Sequence, residues 1–234
     1  MIIEIGKEIF QKFPGTKLGI LVAQGIDNSG DDERIEKEKR EAELQARQKL
    51  ELQALVDHPT IAAWRQAYQL FGSNPKTFKN SPEALLRRIL KGEPLPRINK
   101  IVDLYNLICV THIISAGGDD IDKVDGDIHL GFAKGGEPFT VLGGTNTDPP
   151  EPGEVIYRDA KEVTCRRWNW RQCDKTKITS MSRNVCLVIE ALGITTIEDV
   201  AAALSDLKAH IQQYCGGTIS CQIIDEENNK AVIR

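Results

Sequence analysis

Strand-forming and helix-forming stretches of this chain lie in separate blocks, and that segregation decides the fold class. Met1–Asp27 holds two aliphatic, β-branched runs, MIIEI and LGILVAQGI, divided by the turn signal Phe13-Pro14-Gly15. From Asp31 to about His112 the apolar residues recur at the helical spacing of three and four. Strands are expected again at Ile128–Ala133, Phe139–Leu142, Glu154–Arg158, Thr164–Trp170 and Val185–Leu192. A helix at Ile197–Tyr214 and a strand at Thr218–Ile224 close the chain. No βαβ unit repeats, so the expectation is an α+β fold with a mixed sheet, not a doubly wound one. The 234 residues suffice for a sizeable core. No apolar run approaches the ~20 residues of a spanning helix, and the N-terminus lacks a secretory apolar core. A soluble, cytoplasmic monomer with no membrane partner is expected.

The helical block divides at its caps. Asp31 and Asp32 open a long, highly charged helix through about Leu55, whose apolar stripe is broken, so it is expected to lie solvent-exposed across the domain. Residues 1–60, two strands and this helix, are expected to pack on a main domain of residues 61–234. His58-Pro59 begins a helix carrying Ile61, Trp64, Tyr68 and Phe71, and Gly72 ends it. Ser81-Pro82-Glu83 reads as cap, proline and acid of the next helix, which displays Arg87, Arg88 and Lys91. Asn99 caps another, in which Asp103 and Asn106 lie three apart and share a polar face.

Several chemistries are excluded by spacing. Six cysteines form no C-x-x-C pair and four histidines show no H-x-x-x-H order, so free thiols and no metal site are expected. No nucleophile elbow, P-loop or dinucleotide fingerprint occurs, and no cofactor is expected. The acidic run Asp119–Asp127 lacks the order of a calcium loop and reads as a turn that starts a helix. Net charge is −4, yet Lys76–Lys100 and Arg158–Arg183 are each basic, a segregation that can present a local patch to polyanions or merely two solvated faces.

The densest polar run is Arg166-Arg167-Trp168-Asn169-Trp170-Arg171-Gln172. Read as a strand, it places Arg167, Asn169 and Arg171 on one face and both tryptophans on the other. That arrangement suits an anionic or nucleotide ligand, or equally two core tryptophans with solvated arginines. Gly117-Gly118, directly after the Asp103/Asn106 helix, would let a ligand approach the backbone.

Three ordered segments then stand out: SPEALLRRILKGEPLPRINKIVDLYN, GGDDIDKVDGDIHLGFAKGGEPFTVLGG and RRWNWRQCDKTKIT. Together they resemble the free-standing B3/B4 domain proteins, which are similar to the tRNA-binding and editing domain of the phenylalanyl-tRNA synthetase β subunit. The resemblance covers about Trp64–Leu192. It implies a β/β/α layered sandwich, a tRNA or aminoacyl-tRNA partner rather than DNA, and hydrolysis of mischarged aminoacyl-tRNA in trans. The family's V-D-x-x-N falls on Val102, Asp103 and Asn106, so its pocket asparagine is Asn106. The synthetase histidine falls on Gly117, its glycine pair near Arg171 and Gln172, and its pocket glutamate near Thr176 or Lys177. The implied catalytic set is Asn106, Gly117, Gly118 and Asn169. Asp103, Arg167, Trp168, Trp170, Arg171 and Thr176 would bind substrate, and Lys76, Arg87, Arg88, Lys91 and Arg97 would track RNA phosphates. A non-catalytic tRNA-binding or RNA-binding module, or a small-molecule-binding domain, remains the alternative.

Overall fold

Two stacked sheets and one layer of helices make up the molecule, and the computed structural model describes the whole chain, Met1–Arg234. The first sheet has six strands, ordered β10-β1-β4-β5-β6-β7. These are β1 (Ile2–Ile5), β4 (Ile128–Phe132), β5 (Val155–Arg158), β6 (Val163–Arg166), β7 (Arg171–Gln172) and β10 (Lys230–Val232). The second has four strands, ordered β3-β8-β2-β9: β2 (Lys17–Gln24), β3 (Ser115–Asp120), β8 (Asn184–Ala191) and β9 (Thr218–Ile224). The first sheet is mixed, since β1 runs parallel to β4 and antiparallel to β10.

The second sheet is apolar on both faces, which is why β2 reads as a nearly unbroken hydrophobic run. Leu18, Ile20 and Val22 of β2 meet Ile3, Ile128, Leu130 and Tyr157 of the first sheet in one core. Leu21 and Ala23 of β2, with Val185, Leu187 and Ile189 of β8, face the helices instead. That second core is closed by Ile101, Leu104 and Ile108 of α5 (Lys100–Thr111) and by Val200, Leu204, Leu207 and Ile211 of α6 (Ile197–Tyr214). The order is therefore β/β/α. The remaining helices are α1 (Lys7–Lys12), α2 (Glu33–Lys49), α3 (Pro59–Leu70) and α4 (Ser81–Leu90), with a 3₁₀ turn at Leu55–Asp57. None is long and apolar enough to cross a membrane. All six cysteines are free. The first sixty residues supply a strand to each sheet: β1 sits between β10 and β4, and β2 between β8 and β9.

Five local expectations are corrected. Residues 7–12 form α1, because Ile9 and Phe10 bury one side of a single helical stretch beside Phe13. Helix α2 ends at Lys49 and is not an exposed strap. Lys39 is buried, with Nζ 2.7 Å from Glu36, 3.3 Å from Asp103 and 2.8 Å from the Pro96 carbonyl. Glu43, also buried, accepts from the Leu95 N–H. Charges on that face are tolerated inside because each is paired. Asn80, not Ser81, caps α4. Phe139–Leu142 makes only isolated bridges, from Thr140 to Thr147 and from Val141 to Cys173. The acidic segment starts no helix: Asp119 and Asp120 finish β3 and a turn leads into β4.

The largest correction concerns the tryptophan-rich run. It is a tight hairpin, not a strand: β6 stops at Arg166 and β7 begins at Arg171. Arg167 and Trp168 both adopt left-handed backbone, φ 46° and 64°. Each such residue costs roughly 1–2 kcal/mol. A buried ion pair holds the turn in place. Arg166, fully buried, grips Glu154 through Nε (2.9 Å) and Nη2 (2.8 Å), and Glu154 also accepts from the Arg167 N–H at 3.1 Å. Side chains therefore do not alternate across a sheet here. Trp168 enters the core in edge contact with Trp64 and Phe13, ring centres 5.0 Å away in each case.

Candidate functional site

Segments far apart in sequence converge on one cavity of about 250 Å³ between the two sheets. β3 and β8 form one wall, and Ile3, Ile128, Tyr157 and Cys165 of the first sheet form the other. Helices α4 and α5 contribute Leu85, Tyr105 and Asn106, and the hairpin after β6 contributes Trp168 through Gln172. The Asn99 side chain accepts from the Val102 N–H and fixes the start of α5, which places Asn106 two turns along in the cavity lining.

The two glycines of β3 do different things. A Cβ on Gly118 would lie 2.5 Å from the Cys186 carbonyl oxygen, so a side chain there would break the β3–β8 pairing. A Cβ on Gly117 would meet nothing within 4 Å, because it would project into the cavity. β3 is an edge strand, and Asp120 N donates away from β8, to the Thr176 carbonyl at 2.9 Å. In an antiparallel ladder alternate N–H groups point the same way, so Gly118 N–H also points off that edge.

Two carboxylates line the cavity, and neither is joined to a cation. Glu190 is buried and accepts from Ser115 Oγ and, at 2.7 Å, from Tyr157 OH. Burial raises its pKa, with the Ser115 and Tyr157 bonds and the nearby Asn169 amide pulling the other way. Asp119 accepts from Gln172 Nε2 and Thr176 Oγ1, both on Oδ1, which leaves Oδ2 without a partner. Burial pushes its carboxyl up to about 6, against the pull of those two bonds. Cys165 and Cys186 also line the cavity, and burial pushes both thiols up, so neither is a thiolate nucleophile at neutral pH. Three buried donors of the hairpin lack acceptors, Arg167 Nε, Trp168 Nε1 and Asn169 Nδ2, and of these residues Trp168 and Asn169 line the cavity. The Asn169 carbonyl oxygen is held by Tyr68 OH at 2.8 Å, which turns the amide nitrogen toward Glu190 without a close hydrogen bond to it.

Of the residues singled out from sequence, the cavity gathers Asn106, Gly117, Gly118, Trp168, Asn169, Trp170 and Arg171. Thr176 stands behind the lining and orients Asp119. Arg167 lies outside it: its guanidinium stacks 3.7 Å from the Phe78 ring centre and 4.8 Å from Trp170, and reaches Glu154 at 3.4 Å. Asp103 turns away toward Lys39 and the Ile98 N–H. Among the basic set, Arg87 is bound to buried Glu83 at 2.8 Å, Arg88 to Glu93 at 3.1 Å, and Arg97 to Asp31 at 3.1 Å and Glu33 at 3.2 Å. Lys76 and Lys91 are exposed and unpaired, as is Arg171, which stacks on Trp170 at 4.7 Å. Sequence reasoning missed Asp119, Glu190, Tyr157 and Ser115. Glu190 carried a usable signal, a lone acid inside the apolar run Val185–Leu192.

The model of the B3/4 domain family matches residues 63–216. No curated protein matches the chain. Among solved structures, an N-terminal fragment of the phenylalanyl-tRNA synthetase β-subunit from Pyrococcus horikoshii is similar, with a TM-score of 0.47 and 12% identity. The likeness covers 93% of this chain and 49% of that one, so the chain spans about half the length of the fragment.

Proposed function

The chain belongs to the B3/4 domain family, and on that footing we propose that it is a trans-acting aminoacyl-tRNA deacylase, binding the charged end of a tRNA and hydrolysing its ester. The observation that carries this reading is the convergence of Asn106, the Gly117-Gly118 edge and Asn169 on one cavity. An ester on a ribose is already activated, so its hydrolysis needs a positioned water and donors for the developing oxyanion rather than a covalent nucleophile. The cavity offers such donors in the Asn106 amide, Asn169 Nδ2 and the outward Gly118 N–H. The high thiol pKa values of Cys165 and Cys186 argue for direct attack by water over an acyl-enzyme. Unpaired Lys76, Lys91 and Arg171 supply charge for phosphates outside the cavity.

The test is a panel of mischarged tRNAs, scored for ester loss with and without protein. At least one charged tRNA should be hydrolysed faster, and Asn106→Ala should slow that reaction by about 10²-fold, the typical effect of removing an oxyanion donor, without weakening tRNA binding. A panel left intact overturns the enzyme reading. One feature favours the non-catalytic alternative: no imidazole lines the cavity. Salt-sensitive tRNA binding without ester loss would support that reading.

A further inference from the structure

The cavity carries an electrostatic imbalance that hydrolysis alone does not require. Buried Glu190 and half-buried Asp119 line a mostly apolar cavity, each hydrogen-bonded only by neutral groups, and neither forms an ion pair. The lone cation in the lining, Arg171, is exposed and stacked on Trp170. Burying a carboxylate without a counter-charge is costly, so such a group either takes up a proton or meets a cation, and a bound ligand can bring that cation.

Strand register gives the spacing. Ser115 pairs with Glu190 and Asp119 pairs with Cys186, so Glu190 and Asp119 project from the same face of the sheet. They are offset by four strand positions, roughly 13 Å along the strands at about 3.3 Å per residue. Midway between them is Gly117, whose missing side chain leaves open space. The cavity is thus a slot with a carboxylate toward each end and room for an aliphatic spacer between. Trp168 is fully buried and lines the same slot with its indole N–H unpartnered, and Asn169 Nδ2 is unpartnered beside it. Two donors without acceptors ask for a carbonyl oxygen from the ligand.

We infer that the slot takes an amino acid derivative with a cationic side chain, its α-ammonium and its side-chain ammonium or guanidinium each facing one of the two carboxylates, and its carbonyl accepting from Trp168 or Asn169. Under the deacylase reading, on which the tRNA part of this assignment rests, the substrate is a tRNA charged with a basic amino acid.

The binding test needs no tRNA. Lysinamide, argininamide, norleucinamide and tyrosinamide are titrated into the intact protein by calorimetry at pH 7.5. Lysinamide or argininamide should bind at least tenfold tighter than norleucinamide, which has a linear aliphatic side chain without the terminal charge. Asp119→Asn and Glu190→Gln should each erase that preference, with circular dichroism confirming that both variants fold. Equal or tighter binding of norleucinamide or tyrosinamide overturns the inference, as does silence from all four amides. The two readings fail separately. Cation preference without ester loss from any tRNA removes the deacylase, whereas ester loss confined to tRNAs carrying neutral side chains removes the cationic ligand and leaves the deacylase standing.

Discussion

Replacing Asp119 with asparagine takes away a charge that folding partly removes from water, so the substitution should stabilise the protein while disabling its cavity. Asparagine keeps the shape and keeps an oxygen for Gln172 and Thr176, since both bonds fall on Oδ1. The carboxyl rises from 3.8 to about 6 because burial outweighs those bonds, with Asp159 and Asp120 adding to the rise and no cation facing it. At ~1.4 kcal/mol per pH unit, that displacement costs the folded state up to about 3 kcal/mol once the group is ionised. The sign follows from proton binding. Between pH 3.8 and about 6 the folded chain holds the proton more tightly than the unfolded chain, so this group's contribution falls as pH rises through that window. Asp119→Asn should therefore raise Tm at pH 7.5, by about 6–12 °C for a domain of this size, and should change it little at pH 4. Thermal unfolding of both proteins across that range is the assay. A variant no more stable than the parent at pH 7.5, or equally stabilised at both pH values, would refute the claim that Asp119 is a half-buried, unpaired charge.

Glu154→Ala leaves Arg166 buried without its main partner and should destabilise by about 3–5 kcal/mol in denaturant unfolding; a loss under 1 kcal/mol would mean that the hairpin does not depend on that pair. Gly117→Val should fold normally, as its β-carbon has open space, and should abolish amide binding by filling the slot; calorimetry on the folded variant decides. Gly118→Ala should instead destabilise the protein, because its Cβ meets the β8 backbone, and an unchanged Tm would remove that contact. Replacing Lys76, Lys91 and Arg171 together by alanine should flatten the salt dependence of tRNA binding by about two units of log–log slope. The Arg87→Ala, Arg88→Ala pair should change it less, since both arginines are occupied by Glu83 and Glu93.

Helices α3 and α5 announced themselves well. Asn99 and Gly72 mark real ends, and the apolar period of residues 59–71 is that of α3, because capping and amphipathicity are local properties. The strand-rich halves were legible as strands, but their pairing was not. The hairpin from Arg166 to Arg171 defeated alternation because its geometry answers to Glu154, twelve residues upstream, and two left-handed residues are held by that distant partner. The basic residues of α4 looked free for the same reason: Glu83 was visible as an early-turn acid, not as the buried partner of Arg65 and Arg87.

Sequence alone determined the α+β class, the helix limits around Asn106 and the family, since each depends on composition, short-range periodicity or ordered motifs. The tertiary structure alone decided that β3 lies beside β8, that Asn106 and Asn169 share a cavity, and that Asp119 and Glu190 face it without counter-charges. Those facts depend on strand register and on which buried charges find partners. Both are set by contacts between residues tens of positions apart, and no local pattern in the chain encodes them.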